Sequence, residues 1–270
     1  MTQRVFITGG ASGLGRALAL HYAREGAKVC VGDINPEAGK VTEEELTAAG
    51  GDALYLPCDV RRVTDLEQVR SELEQRWGGV DIVVNNAGVA SAGSIEETTM
   101  TDWEWILDIN VLGVVRGCKV FTPLFKRQGA GTFVNVASMA GLMLAPMMDS
   151  YNVSKAGVIA LSETLSLELR DAGIKVCCVC PSFFQTNLAS GMRSDLPGIQ
   201  QNINGLMKRS TVTAEDVAGD IARAVKQGDF WVLPHQRERR LWLLKRHAPR
   251  AFDYIMHRES RRWMKRLSGG

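Results

Sequence analysis

The sequence predicts one α/β domain built on a doubly wound parallel sheet, with a basic helical extension at its C-terminal end. Short apolar runs alternate with helix-length amphipathic stretches along residues 1–234. Most of these runs are continuously apolar, which is typical of parallel strands that are covered by helices on both faces. A glycine-rich turn joins the first run to the first helix, as in sheets assembled from right-handed βαβ crossovers.

Each element follows from this alternation. The predicted strands are Val5–Thr8, Lys28–Asp33, Ala53–Pro57, Ile82–Asn85, Gly131–Val136, Lys175–Cys180 and Phe230–Leu233. The predicted helices are Leu14–Glu25, Pro36–Ala49, Val63–Trp77, Thr101–Gln128, Ser150–Asp171 and Ala214–Gln227. Residues 186–210 form an irregular segment with several glycines, and a connection of this length within a compact domain predicts a substrate lid.

The composition is that of a globular protein, since 45% of the 270 residues are hydrophobic and 23% are charged. The six cysteines lie mostly in apolar runs without the spacing of metal ligands. We therefore expect no metal site and a reducing compartment. We expect neither a signal sequence nor a membrane span, since no charged leader with an apolar core lies ahead of Val5 and no run approaches the roughly 18 apolar residues of a span. These features predict a cytoplasmic protein.

Charge is unevenly distributed along the chain. Residues 235–270 hold 11 Lys and Arg against 3 Asp and Glu, whereas the whole chain holds 32 against 30. From Arg250 to Leu267 the apolar positions follow helical spacing, which predicts an amphipathic basic helix. Three interpretations stay open: a cap on the substrate pocket or a subunit interface, a peripheral contact with an anionic membrane surface, or a solvated extension. A basic tail without a known reading module does not predict nucleic-acid binding.

A phosphate-binding loop is predicted where the first strand meets the first helix. The chain there reads Thr8-Gly9-Gly10-Ala11-Ser12-Gly13-Leu14-Gly15. Glycines let the backbone turn tightly and approach a pyrophosphate, which then meets the positive end of the helix. We therefore expect a dinucleotide to be held by Gly9, Ser12, Gly13, Leu14 and Gly15.

Asp33 indicates which dinucleotide is bound. It ends the second predicted strand about 20 residues beyond the loop, where a carboxylate accepts hydrogen bonds from an adenosine ribose diol. The same charge would repel a 2′-phosphate, and no Arg or Lys lies between Gly9 and Gly15 to offset it. We expect Asp33 and the adjoining Ile34 to border NAD rather than NADP. The alternative is a solvated aspartate at a strand end.

Four polar residues suit alcohol and carbonyl chemistry: Asn110, Ser138, Tyr151 and Lys155. Tyr151 and Lys155 are one helical turn apart, so an ammonium can stabilise the phenolate and lower the phenol pKa from about 10. Ser138 follows a predicted strand, so its hydroxyl is expected at the carboxyl end of the sheet. Ligands of open α/β sheets bind at that end.

Taken together, these segments resemble the short-chain dehydrogenase/reductase family of Rossmann-like oxidoreductases. The matching segments occur in family order over residues 1–234: Thr8-Gly9-xxx-Gly13-x-Gly15, Cys58-Asp59-Val60, Asn85-Asn86-Ala87-Gly88, Asn110, Ser138, Tyr151-xxx-Lys155 and Pro181-xxxx-Thr186. One departure is visible. The family usually has glycine after the proline of the last motif, whereas this chain has Pro181-Ser182, so the loop beside the nicotinamide is expected to differ in shape.

The resemblance implies a role for each matching residue. Tyr151 would be the general acid/base, Lys155 would assist it and bind the nicotinamide ribose, and Ser138 would polarise the substrate oxygen. Asn110 would hold a water that links Lys155 to solvent. Further contacts with the cofactor are implied at Asp59, Val60, Asn86, Ala87, Gly88, Pro181, Phe184 and Thr186. A homodimer or homotetramer built partly on the helices at 101–128 and 150–171 is also implied.

The residues after Ser138 and near the expected lid are poor in polar groups, which favours a bulky apolar substrate such as a lipid-derived alcohol, a steroid or a retinoid. The expected pocket residues are Met139, Met148, Phe183, Phe184 and Met192. The alternative is that these side chains pack in the core or against another subunit. The sequence thus predicts an NAD-dependent oxidoreductase for hydrophobic secondary alcohols or ketones. Two alternatives are an NADPH-dependent 3-oxoacyl-type ketoreductase and a catalytically silent dinucleotide sensor or scaffold.

Overall fold

The computed structural model describes residues 2–185, 191–194 and 199–268, with side chains up to residue 262. Within these residues the strands are β1 Arg4–Thr8, β2 Lys28–Asp33, β3 Asp52–Pro57, β4 Ile82–Asn85, β5 Gly131–Val136, β6 Ile174–Val179 and β7 Trp231–Val232. They pair in parallel in one sheet of order β3-β2-β1-β4-β5-β6-β7. This confirms the predicted doubly wound Rossmann-like sheet.

The helices form the crossover connections that parallel strands require. In chain order they are α1 Gly13–Arg24, α2 Pro36–Ala48, α3 Val63–Trp77, α4 Met100–Leu107, α5 Gly113–Gln128, α6 Ala140–Met143, α7 Asp149–Glu168, α8 Ile199–Lys208, α9 Ala214–Gln227, α10 Gln236–His247 and α11 Pro249–Ser268. A π-helical turn, Asp108–Leu112, lies between α4 and α5. A short 3₁₀ turn, Arg170–Ala172, follows α7.

Two hydrophobic cores lie on the two faces of the sheet. Because successive strand residues point to opposite faces, Val5 and Ile7 pack with α1 and α9, whereas Phe6 between them packs with α3, α5 and α7. The same alternation recurs in β4, where Val84 joins the first core and Val83 the second. Both faces are therefore covered, which explains why the strands are apolar throughout.

The order of the strands positions the functional site. Chain order reverses between the neighbouring strands β1 and β4, so the loops that leave their carboxyl ends diverge and open a crevice. The glycine loop leaves β1 at this edge, residues 86–88 leave β4, Ser138 follows β5, and Pro181 follows β6. These four segments of the predicted motifs therefore emerge at one edge of the sheet.

Three predicted elements differ from the structure. The helix predicted at Thr101–Gln128 is interrupted by the π-helical turn, which inserts one extra residue per turn around Asn110. The segment predicted as irregular, 186–210, contains helix α8, whose Ile199, Ile203 and Met207 are buried at helical spacing. The single helix predicted in the tail is preceded by another one, because Pro249 ends the continuity after Ala248 and starts α11.

The first half of the C-terminal extension packs against the rest of the chain. The ring of Trp242 in α10 lies 5.4 Å from that of Trp231 in β7, centroid to centroid. Phe252 at the start of α11 is buried, whereas Tyr254 is 73% exposed. Among the described helices, none is both long enough and apolar enough to cross a bilayer. The predicted membrane contact of residues 235–270 stays a prediction.

Candidate active site

The glycine loop after β1 has the shape that a phosphate cradle requires. Gly9 and Gly13 have φ values of +62° and +51°, a region that side-chain-bearing residues rarely enter. A Cβ atom on Gly15 would lie 2.2 Å from the Gly9 carbonyl oxygen, so only glycine lets α1 begin this close to the loop. The exposed Ser12 makes no side-chain cap, and the first turn of α1 holds no acidic residue. The first N–H groups of α1 therefore remain able to bind an anion.

Two residues next to the loop hold its conformation. The Thr8 hydroxyl accepts hydrogen bonds from the Asn86 and Ala87 N–H groups at 3.0 and 3.1 Å. The Asn86 side chain donates to the carbonyl oxygens of Thr8 and Gly9 at 2.9 and 3.0 Å. The loops after β1 and β4 are thereby tied together across the crevice. The sequence includes Thr8 in the motif but does not predict that its hydroxyl holds the loop. Asn86, which is expected to border the cofactor, also holds the loop through its side chain.

Asp33 ends β2 beside the glycine loop, as the sequence predicts. Its carboxylate accepts a hydrogen bond from the Ala11 N–H and another from the Asn35 N–H, both at 3.1 Å. The neighbouring Ile34 is 72% exposed. A glycine cradle, a carboxylate and an exposed apolar side chain on one edge fit the phosphates, ribose and adenine of a dinucleotide.

The nearest arginine to the cradle is already paired. Arg16, one residue after Gly15, donates to both carboxylate oxygens of Glu45 at 2.7 and 2.6 Å. This pair raises the pKa of Arg16 and lowers that of Glu45. The guanidinium of Arg16 is therefore engaged by a carboxylate on α2 rather than facing the cradle unpaired.

Asp59 and Val60 lie on the loop after β3. Asp59 binds Arg61 through its carboxylate at 2.7 Å, and this hydrogen-bonded pair lowers the pKa of Asp59. The side chain of Val60 is buried and lies against Gly113, where a Cβ would come within 2.9 Å of it. The Asp59 carboxylate is therefore engaged within the protein, so an adenine at this edge would meet the backbone of this loop and Val60.

Ser138 and Tyr151 are brought together after β5. The Ser138 hydroxyl lies 3.4 Å from the Pro181 carbonyl oxygen, to which it donates, and it accepts from the Ala140 N–H at 3.1 Å. A Cβ on Gly141 would lie 2.7 Å from the Ala156 nitrogen, so a glycine there lets α6 lie directly on α7 at Lys155 and Ala156. Burial raises the pKa of Tyr151, and its hydrogen bond with Ser138 acts in the opposite direction.

Lys155 occupies the next turn of α7. Its Nζ donates to the Val136 carbonyl oxygen at 2.9 Å and lies 5.8 Å from the centroid of the Tyr151 ring. Burial lowers the pKa of Lys155 to about 8. The Tyr–Lys spacing predicts that the ammonium lowers the phenol pKa, whereas burial raises the pKa of Tyr151. The reason is that desolvation of the buried phenol dominates and Lys155 is turned towards β5.

Asn110 is fully buried in the π-helical turn. Its amide clamps Val89, accepting from the N–H at 2.8 Å and donating to the carbonyl oxygen at 2.9 Å, and it also donates to Ser154 at 3.0 Å. A Cβ on Gly88 would lie 3.2 Å from the Asn110 Oδ1 and 3.5 Å from the Lys155 Nζ. Glycine at position 88 thus keeps open a space bordered by both groups, and the predicted water relay would have to pass through it.

The surroundings of Tyr151 are apolar, as the sequence predicts, but some of the residues that form them differ from the predicted ones. Met148, Phe183 and Met192 belong to the same hydrophobic cluster as Tyr151. Met139 and Phe184 instead pack in the two cores beneath and above the sheet, so their burial favours a structural role over the predicted pocket role. The cluster also contains Met207, and Met147 packs against it; both lie in the apolar stretches that the sequence places beside the substrate. Residues that sequence reasoning missed are Ile106, Ile199 and Ile203, with Trp105 packed against the cluster.

The loop after β6, residues 181–185, is called here the nicotinamide-side loop. Pro181 accepts hydrogen bonds through its carbonyl oxygen from the Met139 N–H at 2.9 Å and from Ser138. Thr186, the expected contact for the nicotinamide carboxamide, lies outside the described residues. His235 contacts this loop from the C-terminal extension, and no local sequence pattern identifies that residue.

A buried Ser–Tyr–Lys set beside a dinucleotide cradle, at the carboxyl edge of a parallel sheet, defines a nicotinamide-dependent oxidoreductase of the Rossmann type. Comparison with known proteins gives the family: the model described as short chain dehydrogenase matches residues 3–197. The chain belongs to the short-chain dehydrogenase/reductase family. It is an enzyme of the NAD(P)-dependent class that acts on an alcohol or ketone.

Several relatives agree with this assignment. An uncharacterised oxidoreductase of Thermotoga maritima is 40% identical over 182 residues, which cover 67% of this chain and 72% of the relative. A 2,5-dichloro-2,5-cyclohexadiene-1,4-diol dehydrogenase of Sphingobium indicum is 34% identical over 190 residues, with coverages of 70% and 76%. A short-chain dehydrogenase/reductase of Burkholderia phymatum, solved in complex with NAD, is 30% identical with a TM-score of 0.87. That match covers 93% of this chain and 95% of the solved one.

Proposed function

We propose that the enzyme uses NAD to interconvert a hydrophobic secondary alcohol and its ketone. The observation that carries the proposal is the burial of the Tyr151 phenol, which is 7% exposed, in an apolar cluster directly beside Ser138. A substrate whose oxygen reaches Tyr151 must enter among methionine, isoleucine and aromatic side chains. Such surroundings favour the binding of apolar substrates over charged ones.

The side chains support a proton transfer that is coupled to hydride transfer. NAD, when bound by the glycine loop and Asp33, would accept the hydride from the alcohol or, in reduced form, return it to the ketone. Tyr151 carries its proton at neutral pH because burial raises its pKa, so it can donate that proton to a ketone oxygen. The Ser138 hydroxyl would turn from the Pro181 carbonyl, where its hydrogen bond is long, to the same substrate oxygen.

In the opposite direction Tyr151 would act as the base. Its phenolate needs a nearby positive charge, and the Lys155 ammonium, one turn away in the same buried environment, supplies it below about pH 8. Asn110 binds the backbone of Val89, and its Oδ1 and the Lys155 Nζ both border the open space at Gly88. A proton from Lys155 would leave through that space.

The choice of NAD follows from the charges near the adenosine end. Asp33 presents a carboxylate where a 2′-phosphate would lie, and Arg16 is bound to Glu45. The Burkholderia phymatum relative, solved with NAD, and the Sphingobium indicum relative, named for a chlorinated cyclohexadienediol, are consistent with NAD and with a substrate of low polarity. A homodimer or homotetramer stays a prediction from the family.

The test is an assay of purified enzyme with NAD and a series of secondary alcohols of increasing apolar area, together with polar hydroxy acids and sugar alcohols. We expect kcat/KM to rise with apolar area. Tyr151→Phe should lower kcat by about 10²-fold to 10⁴-fold while leaving NADH affinity unchanged, because only the proton donor is removed. Tyr22→Phe is the matched control, since Tyr22 is also buried but lies in the core on α1 with no hydrogen-bond partner for its hydroxyl. A preference for polar hydroxy acids, or full turnover in Tyr151→Phe, would overturn the proposal.

A further inference from the structure

The C-terminal extension contacts the nicotinamide-side loop and the short helix α6, which both lie next to Ser138. His235, the residue before α10, accepts a hydrogen bond at Nδ1 from the Ser182 N–H at 3.1 Å, and its Nε2 lies 3.2 Å from the Phe183 carbonyl oxygen. Further along α10, Lys245 donates to the Leu142 carbonyl oxygen at 2.5 Å, in the short helix that follows Ser138. One segment of chain therefore holds both sides of the site.

The contacts of His235 require its neutral form. Nδ1 accepts from an N–H group and so carries no hydrogen, which leaves Nε2 as the donor to the Phe183 carbonyl oxygen. The ring is 8% exposed. Burial lowers the pKa of His235, and this outweighs the opposing effects of Glu238 on α10 and Asp220 on α9. The imidazole thus stays uncharged at neutral pH.

The nicotinamide-side loop lies between His235 and the catalytic serine. At one end Pro181 accepts from Ser138 and from the Met139 N–H, and at the other end Ser182 and Phe183 are bound to His235. The Pro181 carbonyl oxygen and the Ser182 N–H belong to the same planar peptide unit, so Ser138 and His235 bind the two sides of one rigid group. A shift of the loop at the His235 end would therefore move the oxygen that faces Ser138.

We infer that residues 235–247 form an internal brace of the active site, in which His235 is a positioning residue that fixes the nicotinamide-side loop against Ser138. The inference rests on the proposed function only for its effect on cofactor binding, since the hydrogen bonds exist without cofactor. Protonation of His235 would place an N–H opposite the Ser182 N–H, and two donors cannot bond. Acid therefore releases the loop. This role gives the extension an intramolecular partner at α10.

The test measures amide hydrogen exchange at Ser182 in the cofactor-free, full-length protein, together with NADH affinity by fluorescence titration. Three variants are compared. His235→Phe keeps a ring and removes both hydrogen bonds, whereas His235→Asn places an acceptor near the position of Nδ1. His247→Phe is the matched control, because His247 is an exposed histidine at the end of the same helix.

In His235→Phe, we expect the amide hydrogen of Ser182 to exchange at least about tenfold faster and NADH to bind about tenfold more weakly. The reason is that the loss of a hydrogen bond to a buried N–H shifts the opening equilibrium of the loop by roughly tenfold or more. His235→Asn should recover most of both values, and His247→Phe should match the wild type. In the wild type, the protection of Ser182 should fall as the pH drops from about 6.5 to about 5, because the released histidine takes up a proton below its ordinary pKa of about 6.5, whereas burial lowers the pKa of His235 in the closed loop. This fall should vanish in His235→Asn.

Unchanged exchange in His235→Phe, or an equal effect of His247→Phe, would overturn the inference. If His235→Phe does not fold, the wild-type pH dependence decides, because a protection factor that stays constant across this pH range also overturns it. Failure of the proposed function has a different signature. In that case the exchange results hold, NADH binds, and no apolar alcohol is turned over.

Discussion

Replacement of Asp33 by asparagine should shift the preference of the enzyme from NAD towards NADP. The carboxylate of Asp33 is half-buried at the end of β2 and accepts from the Ala11 and Asn35 N–H groups. Asparagine keeps one acceptor oxygen of nearly the same size and removes the charge. The single amide oxygen is expected to stay on Ala11, since that N–H is the less exposed of the two, so the glycine loop should keep its shape.

The expected size of the shift follows from the charges. A carboxylate and a phosphate oxygen about 5 Å apart repel by about 3 kcal/mol at an effective dielectric of about 20, and solvent screening at this partly exposed site reduces that to about 1–2 kcal/mol. The loss of a charge-assisted hydrogen bond to the ribose diol adds about 1 kcal/mol against NAD. The two contributions add to about 2–3 kcal/mol, so the ratio of NAD to NADP affinity should fall by about 30-fold to 150-fold.

The assay is a fluorescence titration of wild type and Asp33→Asn with NADH and NADPH at two ionic strengths. Glu37→Gln is the control, because it removes one negative charge from the exposed first turn of α2 without touching the glycine loop. A ratio that changes equally in both variants would show that only net charge matters. An unchanged ratio in Asp33→Asn would refute the assignment of Asp33 to the ribose and with it the argument for NAD.

Three further outcomes are expected. Gly15→Ala should abolish NADH binding, since its Cβ would lie 2.2 Å from the Gly9 carbonyl oxygen; wild-type affinity would contradict the cradle. The rate of ketone reduction should decline above about pH 8, where Lys155 loses its charge. The Lys155→Met variant should react slowly at every pH and should lack this decline. A decline that persists in the variant would show that another group titrates. Asn110→Ala should cost about 3 kcal/mol in urea unfolding, because both backbone groups of Val89 lose their partner; a loss below about 1 kcal/mol would contradict the clamp.

Much of the fold could be predicted because its signals are local. Continuous apolar strands, a glycine turn and amphipathic helices specify the sheet, and the predicted strands match the observed ones to within about two residues. The sequence does not predict helix α8, although Ile199, Ile203 and Met207 recur every fourth residue. The reason is that the nearby Pro197 and Gly205 indicate a loop. Pro249 likewise offered a signal for the break between the two tail helices, since proline is favoured in the first helical turn.

The part of the site that could not be predicted depends on contacts between distant residues. Nothing in the sequence around His235 indicates that its ring bonds to a loop 53 residues earlier. The π-helical turn at Asn110 has no sequence signature either, since it differs from an α-helix by one inserted residue that tertiary contacts stabilise. The apolar cluster was predicted in kind, but Met139 and Phe184 could not be separated from the true neighbours of Tyr151 without knowing which face of the sheet each occupies.

The same apolar surroundings govern both the substrate and the protonation state of the site. Burial raises the pKa of Tyr151 and lowers that of Lys155 to about 8, so both groups favour their neutral forms more than they would in water. The protonated phenol of Tyr151 can donate its proton directly to a ketone oxygen. Before an alcohol is oxidised, the phenol must first lose that proton, because only the phenolate can act as the base. A polar substrate would bring water to Tyr151 and weaken both shifts. Selectivity for apolar substrates and the pH dependence of the reaction therefore have one physical origin, the desolvation of the Tyr151 cluster.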